Sequence, residues 1–141
     1  MALSAAAGLY TRNREGMTRI SAVIVSAAVI YKHALVVQTA AGLAKPAANE
    51  TTTTFMGLAE RTFDTGDGTV TATCLENLEV LITMATAVTV GNLRQSKIYC
   101  VDDASVTTEA TLGPECGVMT QFVAANSGWI RLRGGVIVVA S

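Results

Sequence analysis

The stretch Lys97-Ile98-Tyr99-Cys100-Val101-Asp102-Asp103-Ala104-Ser105-Val106-Thr107 is followed, after a link marked by Gly113-Pro114, by Cys116-Gly117-Val118-Met119-Thr120-Gln121-Phe122-Val123 and then Gly128-Trp129-Ile130-Arg131-Leu132-Arg133. Each piece is short and rich in β-branched or aromatic residues. Asp102-Asp103, Gly113-Pro114 and Asn126-Ser127-Gly128 bound them with turn-forming residues. This is the pattern of strands folded back on one another through tight turns. Within the last piece Trp129 and Arg131 alternate with Ile130 and Leu132, so one side of that strand faces a core.

Working outward, 141 residues suit one domain. Half of them are hydrophobic and only 15% are charged, with Ala and Val dominating and few aromatics. The expectation is a thin core of small side chains and a surface partly covered by partners. A net charge of −1, with Lys and Arg scattered, provides no field to attract nucleic acid. Cys74, Cys100 and Cys116 are odd in number and lack C-x-x-C spacing, and His33 is the single histidine. They read as three core thiols in a reducing compartment, with no zinc site. His33, beside Lys32, reads as a partly exposed strand residue. The apolar run Ile20 to Tyr31, with Arg12, Arg14 and Arg19 upstream, has the outline of an export leader. It stops at Lys32, short of the roughly 18 residues of a spanning helix, and its Val and Ile favour strand.

The first 18 residues hold no sustained period and read as a flexible N-terminal arm; residues 19–141 read as a single β domain. Its first apolar run is Ile20 to Ile30 and its second is Ala34 to Gln38. Phe55 to Phe63 alternates, with Phe55, Gly57, Ala59, Arg61 and Phe63 on one side. Asp64-Thr65-Gly66-Asp67-Gly68 is a turn by composition. Thr69 to Leu75 is a strand, and Glu76-Asn77 a turn or bulge before a strand from Leu78 to Met84. Leu75, Leu78 and Ile82 also share a helical face, but flanking threonines favour strand. Gly134-Gly135 releases Val136-Ile137-Val138-Val139, a segment that water would not leave unpaired. It reads either as buried at home or as a tail suited to strand exchange with a neighbouring chain. Many short strands in a small chain give an all-β barrel or sandwich.

Asp64-Thr65-Gly66 resembles the Asp-Thr-Gly of aspartic proteases, in which two carboxylates share one proton. With one such motif the chain would act only as a homodimer using Asp64 from each copy. Asp67 stands where that family has Ser or Ala, which favours the turn reading. Asp64 and Asp67 lack the spaced oxygens and bidentate Glu of a calcium loop. His33 has no nucleophilic serine in a G-x-S-x-G setting, and no phosphate or dinucleotide loop occurs. Tyr99, Phe122 and Trp129 read as the aromatic part of the core.

In order, Ala28-Val29-Ile30-Tyr31-Lys32-His33-Ala34-Leu35-Val36-Val37, Ala41-Gly42-Leu43-Ala44-Lys45-Pro46-Ala47-Ala48, Phe55-Met56-Gly57-Leu58-Ala59-Glu60, the Asp-Gly turn with its Thr-Val strand, Val88-Thr89-Val90-Gly91, Ile98-Tyr99-Cys100-Val101-Asp102-Asp103-Ala104-Ser105-Val106, Gly117-Val118 and Gly128-Trp129-Ile130-Arg131-Leu132 follow one another. This succession resembles the small capsid decoration, or cement, proteins of tailed double-stranded DNA bacteriophages over residues 28–133. The resemblance implies a structural virion protein, not an enzyme, made in the host cytoplasm and bound outside the mature head. It implies the major capsid protein as partner, a homo-oligomer with a trimer favoured, and neither cofactor nor metal nor membrane. Leu3, Leu9, Tyr10, Arg12 and Arg14 of the arm are then candidates for the capsid contact, and Val136, Ile137, Val138 and Val139 for the oligomer interface. The chain departs from the family in two places: His33 stands where a glycine is expected, and the Val-Ile-Val-Val tail extends past the usual end. The other readings of the residues are the Asp64 homodimeric protease and an exported β domain with a cleaved leader.

Overall fold

The structure, a computed structural model, describes residues 11–12, 17–85, 97–109 and 113–133. In chain order the strands are β1 (Thr11–Arg12), β2 (Thr18–Val23), β3 (Val29–Ile30), β4 (Leu35–Gln38), β5 (Ala44–Pro46), β6 (Thr54–Ala59) and β7 (Phe63–Asp64). They continue as β8 (Thr71–Glu76), β9 (Glu79–Met84), β10 (Lys97–Cys100), β11 (Ser105–Thr107), β12 (Glu115–Ala124) and β13 (Ser127–Leu132). The regular helical element among the described residues is a 3-10 turn at Thr65–Asp67. The chain is all-β.

The stretch from Lys97 to Arg133 supplies four of the five strands of a closed sheet. Its order is β9-β11-β10-β12-β13, and β13 pairs back onto β9 from Ser127↔Thr83 to Arg131↔Glu79. Among the described residues every strand of this barrel is paired on both sides, and β1 adds to β9 at Val80 and Glu79. All its pairings are antiparallel save β9–β11. β12 is long, and it bends around the barrel through irregularities in its pairing. Cys116 is skipped between the pairs Ile98↔Gly117 and Tyr99↔Glu115. Thr120 and Val123 are skipped between its pairs with β13. Each extra residue kinks the strand and raises its twist, which is what closing so small a sheet demands.

A second sheet runs β2-β8-β6-β4-β5 and is antiparallel throughout. A single parallel bridge, Ile24–Ala44, draws its two ends together. β3 and β7 form a short pair beside it. The hinge of the architecture is β6. It pairs with β4 through Val36↔Gly57 and Val37↔Phe55, leaving Met56 as an extra residue. That bulge changes which side each residue faces. Phe55 and Leu58 join Leu35 and Val37 in a cluster with the barrel residues Val80, Ile82, Ile98, Met119, Ile130 and Leu132. Met56 and Ala59 join Val36, Ile30, Phe63, Ala72 and Cys74 in a second cluster. The strict alternation expected from Phe55 to Phe63 is thus broken at Met56, and β6 itself ends at Ala59. One cluster spanning both sheets makes them a single domain.

Two further expectations are corrected. The run Ile20 to Ile30 is two strands and not one, because Ala27 takes φ 60° in the turn between β2 and β3. The core aromatics are Phe55 and Phe63, at 2% and 1% exposure; Tyr99, Phe122 and Trp129 are only partly buried, with Phe122 packed against the first cluster. Strand is the outcome for Thr71–Glu76 and Glu79–Met84, with Asn77 at φ 60° turning the chain between them.

Candidate functional site

Three places in the fold carry chemistry. The first surrounds the turn after β7. Asp64 is its N-cap: a carboxylate oxygen accepts from the Gly66 N–H at 2.8 Å, and Gly68 closes the turn at φ 91°. Asp67 accepts from the Thr69 N–H at 3.2 Å and from its hydroxyl at 2.7 Å. The Thr65 hydroxyl donates to the Ala28 carbonyl at 2.8 Å, fixing the turn against the β2–β3 loop. Between them lies an open groove of about 420 Å³, walled by Ile24, Ser26, Ala27, Gly66, Thr69 and Val70. Its lining is small apolar groups, hydroxyls and backbone. Val70, part of this wall, is 64% exposed.

The second place is Glu79 on β9, a carboxylate only 5% exposed. Thr120, the extra residue of a β12 bulge, donates its hydroxyl to Glu79 Oε2 at 2.7 Å and lies 3.2 Å from the Trp129 carbonyl. In register, Glu79 sits between Arg12 of β1 and Arg131 of β13. The sequence carries a faint sign of this: Glu79 interrupts an apolar run between Leu78 and Val80, where a charge needs partners once buried.

The third is the set of thiols. Cys74, Cys100 and Cys116 are free and buried, as core thiols should be. Burial, reinforced by the nearby Glu60 carboxylate, pushes Cys74 up to about 12. Burial likewise pushes Cys116 well above the usual thiol range, aided by its hydrogen bond with Cys100. Such thiols are protonated at neutral pH and poor nucleophiles. Among the described residues, no group of three or more His, Cys, Asp or Glu side chains is arranged to hold a metal ion.

The candidate contact residues divide cleanly. Arg12 lies in β1 opposite Glu79, with Thr11 opposite Val80, so that part of the N-terminal segment is paired to the barrel. Thr18 likewise belongs to β2. Leu3, Leu9, Tyr10 and Arg14 lie outside the described residues, as do Val136, Ile137, Val138 and Val139. Asp64 sits in the turn just described. Asp102 also turns the chain, accepting from the Ala104 N–H at 2.8 Å and the Ser105 hydroxyl at 2.9 Å. His33 is half-buried in a turn and not in a strand. It takes φ 65°, the conformation a glycine would adopt there, and its N–H donates to the Ala59 carbonyl at 3.0 Å.

Compared with protein-family models, curated proteins and solved structures, the chain finds no match.

Proposed function

We propose that this chain is a decoration protein: it binds the outer surface of a mature phage head and braces the contacts between capsid subunits. The observation that carries the reading is the order of the sequence pieces between residues 28 and 133, quoted above. Several of them coincide with described elements of the fold: Val29–Ile30 is β3, Leu35–Gln38 β4, Ala44–Pro46 β5, Thr54–Ala59 β6 and Lys97–Cys100 β10.

The partner in this reading is the major capsid protein, and the working unit is a homo-oligomer, with a trimer favoured. Packaged DNA presses capsid subunits apart. A ligand that binds only the expanded lattice stabilises it by mass action, in proportion to the logarithm of its concentration over Kd. Several modest contacts from one oligomer add through effective concentration. A nearly neutral, apolar β body needs no reacting group for that task.

The N-terminal segment makes the capsid contact in this account, adding a strand to an exposed edge of the capsid protein. Its test is a chain lacking residues 1–10, which keeps Thr11–Arg12 on β9. The shortened protein should melt like the parent yet fail to decorate heads lacking their own copy. Full decoration by the shortened protein would overturn the role of the segment.

A further inference from the structure

Two of the three buried thiols stand together. Cys100 ends β10, and Cys116 lies near the start of β12, the strand paired with it. Along β10, Ile98 and Cys100 are buried, while Tyr99 between them is opposite the exposed Glu115. The pairing passes from Tyr99↔Glu115 to Ile98↔Gly117, so Cys116 is the extra residue of a bulge. A bulge breaks the strict alternation of sides. Here it puts Cys116, wholly buried, in the same cluster as Ile98 and Cys100. Gly117 brings no side chain to that corner, and the two thiols lie in hydrogen-bond contact. Cys74 belongs to the other cluster.

Neighbouring strands lie about 4.7–4.9 Å apart, within the Cα separation of about 4.4–6.8 Å that a disulfide spans. Neither thiol reaches solvent in the closed fold. A reagent therefore enters where the β10–β12 ladder ends, and the hold there is slight. Beyond Tyr99↔Glu115 the Cys100 N–H donates to the Pro114 carbonyl at 2.9 Å, and proline has no N–H to return the bond. Parting the strands on this side leaves Cys100 paired with Val106 of β11. The Cys116 carbonyl still accepts from the Arg133 N–H at 2.9 Å. Each cysteine keeps its backbone anchored while the ladder end opens.

We propose that Cys100 and Cys116 are a redox pair, which exchange with a small-molecule disulfide converts into a cross-link between β10 and β12. One protein thiol, deprotonated on opening, attacks a sulfur of the reagent RS–SR. That S–S bond breaks, a mixed disulfide forms, and the departing RS⁻ takes up the proton. The second protein thiolate then attacks the protein sulfur of the mixed disulfide, and the other RSH leaves. Two electrons and two protons pass from the cysteine pair to the reagent, which becomes two thiols. Because the partners already lie side by side, the second step is intramolecular and outruns capture by further reagent. Cys74 has no such neighbour among the described cysteines and stays a thiol. The inference does not depend on what the protein binds.

Incubation of the folded full chain with an equal mixture of oxidised and reduced glutathione tests it, with a parallel sample refolded from urea in the same buffer. After acid quenching and denaturation, free thiols are counted and the linked peptides are identified by mass. Both samples should reach the same end point: one free thiol, at Cys74, and a bond between Cys100 and Cys116. That product should melt about 5–10 °C above the reduced chain, and dithiothreitol should reverse the rise. Three thiols persisting, glutathione adducts without an internal bond, or a bond through Cys74 would each overturn the inference.

Discussion

At the scale of single residues, backbone proximity decides the most. A Cβ on Gly117 would lie 2.0 Å from the Arg131 carbonyl, and one on Gly57 2.7 Å from the Leu75 carbonyl. Neither obstacle is a flexible side-chain end, so strands would have to part. Gly117→Ala is expected to lower stability by about 2–3 kcal/mol, measured by urea unfolding at unchanged slope. Gly42, which faces open space at φ 82°, would lose only what its backbone conformation costs. The thiols give a second expectation. Cys74 rises from an ordinary 9.0 to about 12 when folded, so folding holds its proton. That contribution is complete below pH 9 and is lost as pH climbs toward 12. The melting temperature should therefore fall in that window, and less steeply in Cys74→Ala. At pH 8 the native protein should resist thiol labelling, and all three cysteines should react once unfolded. His33, at φ 65°, holds the left-handed conformation that favours glycine.

At the scale of elements, the bulge in β6 is what joins the two sheets. Without Met56 as an extra residue, Phe55 and Leu58 would face opposite sides and the barrel would lose one of them. Phe55→Ala empties the largest side chain from the shared cluster and should cost about 3–5 kcal/mol in equilibrium unfolding. A cost below about 1 kcal/mol would mean the sheets do not depend on each other there. The elements of the Lys97–Arg133 stretch were legible because their signals are local: β-branched runs, tight turns, and the Ile130 and Leu132 alternation. What escaped the sequence was non-local. The parallel β9–β11 contact, the closing β9–β13 ladder and the bulges at Met56, Cys116 and Thr120 depend on which strands meet, not on any short pattern. Ala27 at φ 60° is a residue no turn rule favours, so the split of Ile20 to Ile30 was hidden. Of the functional candidates, Asp64 was legible as a turn because its partner Gly66 is two residues away. Glu79 was not, because Thr120 reaches it from 41 residues along the chain.

At the scale of the molecule, the described residues form one closed barrel and one pinched sheet sharing a core, with Cys74 and Cys116 held as protonated thiols. In the proposed role its free energy is spent only on a lattice that offers the complete site, so discrimination between shell states is the property to measure. Binding of the purified protein to expanded and to unexpanded heads, both lacking their own copy, tests this most directly. Saturable, stoichiometric decoration of expanded heads alone, with a rise in their resistance to heat, is the result this account predicts. Heads of either form that take up no stoichiometric protein, or that bind it equally and are no more resistant, would contradict it.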